Sequence, residues 1–143
     1  DLRRQVRPKI AGSETMATKA AFRAFMEAGA LDVVIMDLGW CGGLTEAKAI
    51  ANLADAFHLP IAPHDCTGPL AWAACTSLTI NAPNALVQES VRAFYSGWYT
   101  ELAQNLPVFE EGHIHLPEGG GMITELKPEV FDRPDATVRR TEV

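Results

Sequence analysis

The stretch Val33-Val34-Ile35-Met36-Asp37 is a continuous apolar run that ends at a carboxylate. A short run of this kind, without polar alternation, predicts a strand that is buried on both faces. Comparable short segments stand at 9–11, 59–63 and 86–88. The chain is therefore expected to contain four short strands.

Amphipathic segments separate these strands. Thr18 is expected to cap the first helix, Thr45 to open the second, and Gly68-Pro69 to begin the third, because proline suits a first helical turn. The residues expected to face inward are Phe22, Phe25, Met26 and Gly29 in the first helix, Ala47, Ile50, Ala51, Ala54 and Phe57 in the second, and Leu70, Ala73, Ala74, Ser77 and Leu78 in the third. This alternation predicts parallel strands joined by crossover helices.

An ionisable residue follows each predicted strand. These residues are Glu14, Asp37, His64 and Glu89, separated by 23, 27 and 25 residues. In a parallel barrel this phase places all four side chains on the carboxy-terminal rim, where the active sites of such barrels lie. An open doubly wound sheet shares the local pattern, although the sequence has neither a GxGxxG motif nor a P-loop.

The composition excludes several classes of function. The chain has 143 residues, of which 12 are basic and 18 acidic, and the basic residues are scattered, so nucleic acid is not the expected partner. No apolar run approaches the length of a membrane span. The cysteines, Cys41, Cys66 and Cys75, lack zinc or CxxC spacing, so we expect no disulfide framework and a cytoplasmic location.

The rim residues suggest an acid/base site beside a metal. Glu14 could bind Mg²⁺ or could simply be a helix-start charge. Asp37 could orient His64 as a base, although a histidine bonded to its neighbour Asp65 is the alternative. Glu89 in its acid form could donate a hydrogen bond to a substrate carboxylate, or it could be an ion-pair partner of Arg92.

Three further candidates favour simpler interpretations. His113 and His115 have no third ligand nearby, so we expect an exposed hairpin rather than a metal site. His58 stands at a helix end, where a cation suits the helix dipole. Cys66 lacks a separate base, so packing is expected rather than nucleophilic catalysis.

Four motifs together resemble the mandelate racemase branch of the enolase superfamily, over residues 7 to 130. They are Gly12-Ser13-Glu14, Met36-Asp37-Leu38-Gly39-Trp40-Cys41-Gly42-Gly43, Pro63-His64-Asp65-Cys66-Thr67-Gly68-Pro69 and Val87-Gln88-Glu89-Ser90. The resemblance implies an α/β fold with a modified TIM-type (β/α)₇β barrel beside a capping domain. It also implies Mg²⁺ held by three carboxylates, and removal of the proton α to a carboxylate by a Lys or His base.

The resemblance also implies a role for each rim residue. Glu14, ending the fifth strand, would be the third metal ligand, and Asp37, ending the sixth, would orient His64, ending the seventh. Glu89, ending the eighth, would donate a hydrogen bond to the enediolate. The family's paired lysines and its first two metal carboxylates have no counterpart here and would precede Asp1.

The resemblance divides the chain into two parts. Residues 1–107 would form the carboxy-terminal half of the barrel, and residues 108–143 a segment that packs on a capping domain absent from this chain. The chain opens without Met, and we expect an internal portion of a larger protein. A single metal carboxylate is too few for tight Mg²⁺ binding, so the chain alone is expected to be inactive.

The stretch from His64 to Pro69 is most similar to the acid-sugar dehydratases of this branch, of the galactonate dehydratase kind. The implied activity is Mg²⁺-dependent elimination of water from an acid sugar or related hydroxy acid, in a full-length homo-oligomer. A racemase, epimerase or cycloisomerase shares the same first half-reaction. A non-catalytic fragment or pseudo-enzyme is the alternative of another class.

Overall fold

Four segments run parallel and in chain order in the computed structural model, which describes residues 2–142. Strand β1 (Ala11–Gly12) pairs with β2 (Val33–Val34). Val34 forms a parallel bridge with Ile61, and Ile61 forms another with Ala85. This arrangement confirms the predicted α/β fold with neighbouring parallel segments.

The third and fourth segments are single bridges rather than full strands. Pro60 and Pro63 flank Ile61 and have no N–H to donate to a neighbouring strand. Backbone hydrogen bonds nevertheless continue along the fourth segment, from Leu86 N to Ile61 O at 2.9 Å and from Glu89 N to Pro63 O at 3.0 Å. The fourth segment therefore keeps its register as far as Glu89.

Four helices connect or follow these segments: α1 (Thr18–Glu27), α2 (Leu38–Cys41), α3 (Leu44–Ala56) and α4 (Pro69–Asn81). The short helix α2 was not predicted from the sequence.

The expectation that Thr18 caps α1 is wrong, because Thr18 is already the first helical residue and the cap position is Ala17, without a side-chain hydrogen bond. A carboxylate oxygen of Glu46 in α3 instead accepts from the Lys19 N–H at 2.6 Å. The amino end of α1 is thus satisfied by a neighbouring helix.

The core lies between the helices and the parallel segments. Its fully buried members include Phe22, Val34, Met36, Ile50 and Ile61.

Two residues predicted to face inward are exposed, namely Phe25 (44%) and Phe57 (37%). Phe25 stands at the edge of the helical face that buries Phe22 and Met26, and Phe57 follows the last residue of α3, where the helical face ends.

The rest of the chain forms short elements. They are a π-helix (Phe94–Trp98), α5 (Tyr99–Leu102), β3 (Ala103–Gln104), β4 (Val108–Glu110), β5 (His113–His115), β6 (Glu125–Leu126) and a 3₁₀-helix (Pro128–Asp132). Strands β4 and β5 form the expected exposed hairpin, and β6 returns to pair with β3. A boundary after residue 107 and packing on a capping domain stay predictions.

Within residues 2–142, no helix is both long and apolar enough to cross a bilayer.

The core predicts a clear difference between two isoleucines. Ile50 in α3 is fully buried, whereas Ile80 in α4 is 64% exposed. Ile50→Ala should lower the free energy of unfolding by about 2–5 kcal/mol through lost burial and a cavity, and Ile80→Ala should change it by less than about 0.5 kcal/mol. Urea denaturation of both variants measures the difference, and equal losses would contradict the assigned core.

Candidate active site

The carboxylate of Asp37 and the imidazole of His64 form the centre of the site. Asp37 follows β2 and is fully buried, and its Oδ2 lies 2.8 Å from His64 Nδ1. The backbone N–H of His64 donates to Met36 O at 2.8 Å, so the ends of two neighbouring parallel segments lie side by side. This register brings together two residues that are 27 positions apart.

The second oxygen of Asp37 is also fully engaged. Its Oδ1 accepts from the Gly39 N–H at 2.7 Å, which caps α2, and from the Thr67 hydroxyl at 3.0 Å. A Cβ at position 39 would lie 3.1 Å from both Asp37 Oδ1 and Thr67 Oγ1, so only glycine fits without displacing them. The carboxylate is thereby held in one orientation beneath the imidazole.

The other nitrogen of His64, Nε2, lies near Glu89. We call the partly exposed space bordered by His64, Glu89 and Cys66 the mouth of the site. The side chain of His64 is 19% exposed, and its Nε2 lies 3.9 Å from Glu89 Oε1. The side chain of Glu89 is 45% exposed, so it stands at the rim. A small molecule entering the mouth would therefore meet Nε2 and the Glu89 carboxyl group together.

Glu14 follows β1 and is half-buried. Its carboxylate is among the charges that raise the pKa of the Cys66 thiol, after burial and the carboxylates of Asp37, Asp65 and Glu89. Within residues 2–142, the Glu14 carboxylate takes part in no hydrogen bond or ion pair. It is thus an acid whose oxygens are available.

The donor set can be tested against Mg²⁺, the cofactor implied by the resemblance. Asp37, His64 and Cys66 bring ligand atoms within 4.8 Å of one another, but nitrogen and sulfur are poor Mg²⁺ ligands and the Asp37 oxygens are already bonded. The available carboxylate of Glu14 fits a hard cation as one of several oxygen ligands.

Cys66 lies at the mouth and is exposed, so the expected packing role is not what the structure shows. Its Sγ lies 3.6 Å from His64 Nδ1. Desolvation raises the pKa of the thiol, and the surrounding carboxylates Asp37, Asp65, Glu89 and Glu14 raise it further. A protonated thiol is a weak nucleophile. The expectation that Cys66 is not a catalytic nucleophile stays a prediction.

Asp65, which entered the sequence analysis only as the alternative partner of His64, has a role that sequence reasoning did not foresee. It does not bond to His64; instead it is 2% exposed and accepts from the Val91 N–H at 2.9 Å and from the Tyr99 hydroxyl at 2.6 Å. Burial raises the pKa of Asp65, although both hydrogen bonds oppose the rise, and burial followed by the bond to Asp65 raises the pKa of Tyr99. An acid next to a candidate base was visible in the sequence, but its partners 26 and 34 residues away were not.

The remaining candidates lie elsewhere. His113 and His115 are exposed on the hairpin, with ring centroids 6.4 Å apart. His58 is exposed, two residues past the end of α3. Neither location belongs to the candidate metal-ligand group found among residues 2–142.

The family model described as "Enolase C-terminal domain-like" matches residues 1–130. The chain belongs to this family. It is 31% identical over 113 residues to a D-xylonate dehydratase of Haloferax volcanii, covering 79% of this chain and 27% of that protein. It is 34% identical over 119 residues to a D-galactonate dehydratase of Cronobacter sakazakii, covering 83% of this chain and 30% of that protein.

A solved structure extends the comparison. The crystal structure of an enolase of the mandelate racemase subgroup from Agrobacterium tumefaciens superposes with a TM-score of 0.80 at 52% identity. That match covers 87% of this chain and 34% of the other. This enolase C-terminal domain-like chain thus spans about a third or less of the length of these relatives. The family match and the superposition confirm the predicted barrel fold.

The surroundings of Cys66 predict its reactivity. Because the pKa of this thiol is raised above its ordinary value, alkylation by iodoacetamide should be slow near pH 7 and should accelerate about tenfold per pH unit up to pH 9. Cys41 and Cys75 are buried, and burial raises the pKa of Cys75 to about 12, so neither should react in the folded protein. Mass spectrometry of the labelled protein measures each site.

The matched control is Cys66→Ser, which should abolish labelling under native conditions and leave two reactive cysteines after denaturation. Labelling of Cys66 at pH 7 as fast as at pH 9 would show a thiolate and contradict the assigned environment.

Proposed function

We propose that this chain carries the acid/base part of an active site that removes the proton α to a carboxylate and eliminates water from an acid sugar. The observation that carries the proposal is the Asp37–His64 hydrogen bond of 2.8 Å, which leaves His64 Nε2 at the mouth. The relatives named D-xylonate dehydratase and D-galactonate dehydratase support the substrate class.

His64 acts as the base in this proposal. Asp37 accepts a hydrogen bond from Nδ1–H, so the unprotonated nitrogen is Nε2, and this nitrogen takes the α-proton. The negative charge of Asp37 stabilises the imidazolium that results. Gly39 and Thr67 hold Asp37 in place, and Asp37 in turn holds the imidazole ring. The ring therefore loses little conformational entropy when it reaches the reactive geometry.

The electron pair of the broken C–H bond moves into the substrate carboxylate, which becomes an enediolate. Glu89, in its acid form, donates a hydrogen bond to the oxygen that gains charge. Collapse of the enediolate expels the β-hydroxyl, which leaves as water after it takes a proton, and the enol product tautomerises to a 2-keto acid. His64 can return its proton to that hydroxyl.

Glu14 holds Mg²⁺ in this proposal, together with ligands from outside this chain. The ion, when bound, would stabilise the charge on the substrate carboxylate. Among residues 2–142, Glu14 is the one carboxylate that we assign to the metal, and one carboxylate makes a weak Mg²⁺ site. We therefore infer that the activity belongs to a protein that supplies the other ligands.

The alternative outcome of the same first step is reprotonation on the other face, which gives epimerisation. Trapping with a carbonyl reagent separates the two, because elimination yields a 2-keto acid and epimerisation yields none. The dehydratase relatives favour elimination.

His64→Asn in the full-length protein should lower turnover of D-galactonate or D-xylonate by at least about 100-fold, since it removes the proton acceptor. Exchange of the α-proton in D₂O with Mg²⁺ present, followed by NMR, should fall by a similar factor. The matched control is His58→Asn, because His58 is exposed and outside the site. Retention of exchange and turnover in His64→Asn would refute the proposed function.

A further inference from the structure

The segment that carries Glu89 is fixed by residues outside the acid/base pair. Asp65 directly follows His64, and its Oδ2 accepts from the Val91 N–H, two residues after Glu89. A second tie acts on the same segment, since Trp72 Nε1–H donates to Ser90 Oγ at 2.9 Å. The buried carboxylate of Asp65, the residue after His64, therefore binds the chain just after Glu89.

The other oxygen of Asp65 is anchored in an aromatic cluster. Tyr99 is fully buried, and its hydroxyl donates to Asp65 Oδ1 at 2.6 Å. Its ring packs against Trp98 and Trp72, with centroids 4.5 and 6.1 Å away. The hydroxyl is thus held by large, closely packed side chains and fixes the second oxygen of the carboxylate.

Burying a carboxylate stabilises a protein less than burying apolar side chains. Desolvation penalises its charge, and apolar side chains of similar volume often stabilise a protein as well or better. Asp65 instead provides directional contacts. Two donors from two separate segments fix its two oxygens, and a pair of apolar side chains cannot fix positions in this way.

We propose that Asp65 and Tyr99 form a buried brace that sets the position of Glu89 relative to His64, and that Asp65 is a positioning residue of this site. The inference rests on the proposed function for its catalytic consequence. The brace itself is a structural arrangement that can be tested without turnover.

The side chain that replaces Asp65 separates tethering from charge. Asp65→Asn can keep both contacts, because the amide oxygen accepts from Val91 N–H and the amide nitrogen donates to the Tyr99 hydroxyl. Asp65→Ala removes both contacts. Tyr99→Phe removes one contact, keeps the carboxyl group of Asp65 and preserves the packed ring.

The first measurement is amide hydrogen exchange at Val91 in the full-length protein. Exchange should accelerate at least about tenfold in Asp65→Ala and Tyr99→Phe, since a hydrogen bond is lost or loosened, and should stay within about threefold of the parent in Asp65→Asn. The matched control is Thr79→Val, which deletes a hydroxyl bonded to Cys75 O in α4 and should leave Val91 unaffected. Unchanged exchange at Val91 in Asp65→Ala would overturn the brace.

The second measurement is steady-state turnover of D-galactonate or D-xylonate. Tyr99→Phe and Asp65→Ala should lower kcat at least about tenfold per folded molecule with KM within about twofold, because a displaced Glu89 no longer meets the transition state. Asp65→Asn should retain most of kcat. Equal losses in Asp65→Asn and Asp65→Ala would assign the effect to charge and overturn the positioning role.

His64→Asn distinguishes a failure of the positioning role from a failure of the proposed function. If His64→Asn is inactive while Tyr99→Phe turns over normally, the positioning role is wrong and the proposed function stands. If His64→Asn is fully active, the proposed function fails, and exchange at Val91 still shows whether the brace exists.

Discussion

The site depends on one buried carboxylate and the donors that surround it. Asp37 has no exposed surface, and an unpaired charge in that position would be strongly destabilising. Three groups contact it: the Gly39 N–H and the Thr67 hydroxyl donate to Oδ1, and His64 Nδ1 lies 2.8 Å from Oδ2. The same group therefore caps a helix, fastens the loop after the third parallel segment and sets the direction of the imidazole.

The fold delivers this group through its register rather than through long strands. The parallel segments are short, but their order in space follows their order along the chain, so successive carboxyl ends reach the same rim. The apolar residues in these segments, such as Val34, Met36 and Ile61, are fully buried. Their packing holds each segment in place along its own direction. Of the ionisable residues at those ends, three are shown to lie side by side: His64 Nδ1 is 2.8 Å from Asp37 Oδ2, and His64 Nε2 is 3.9 Å from Glu89 Oε1.

The sequence predicted the features that have a local signature. The apolar run at Val33 to Met36 and the spacing of the four ionisable residues predicted parallel segments with a common rim, and the hydrogen bond between Asp37 and His64 agrees with that phase. The role of each rim residue in catalysis stays a prediction.

The features that sequence reasoning missed depend on contacts between distant positions. Glu46 satisfies the start of α1 from another helix, and Asp65 bonds to Tyr99 across 34 residues. Neither partner has a periodic or motif signal, because a hydrogen bond in tertiary structure depends on where two elements meet. Helical spacing alone also could not place Phe57, which stands just past the end of its helix.

The central claim is that Asp37 holds His64 with the proton on Nδ1 and the lone pair on Nε2. The most direct measurement is ¹⁵N NMR of the imidazole in ¹⁵N-histidine-labelled protein, at a pH where the ring is neutral, with His64→Asn used to assign the signals. The account predicts a protonated Nδ1 and an unprotonated Nε2 in the parent, and loss of that preference in Asp37→Asn. A parent protein whose His64 carries its proton on Nε2 would contradict it.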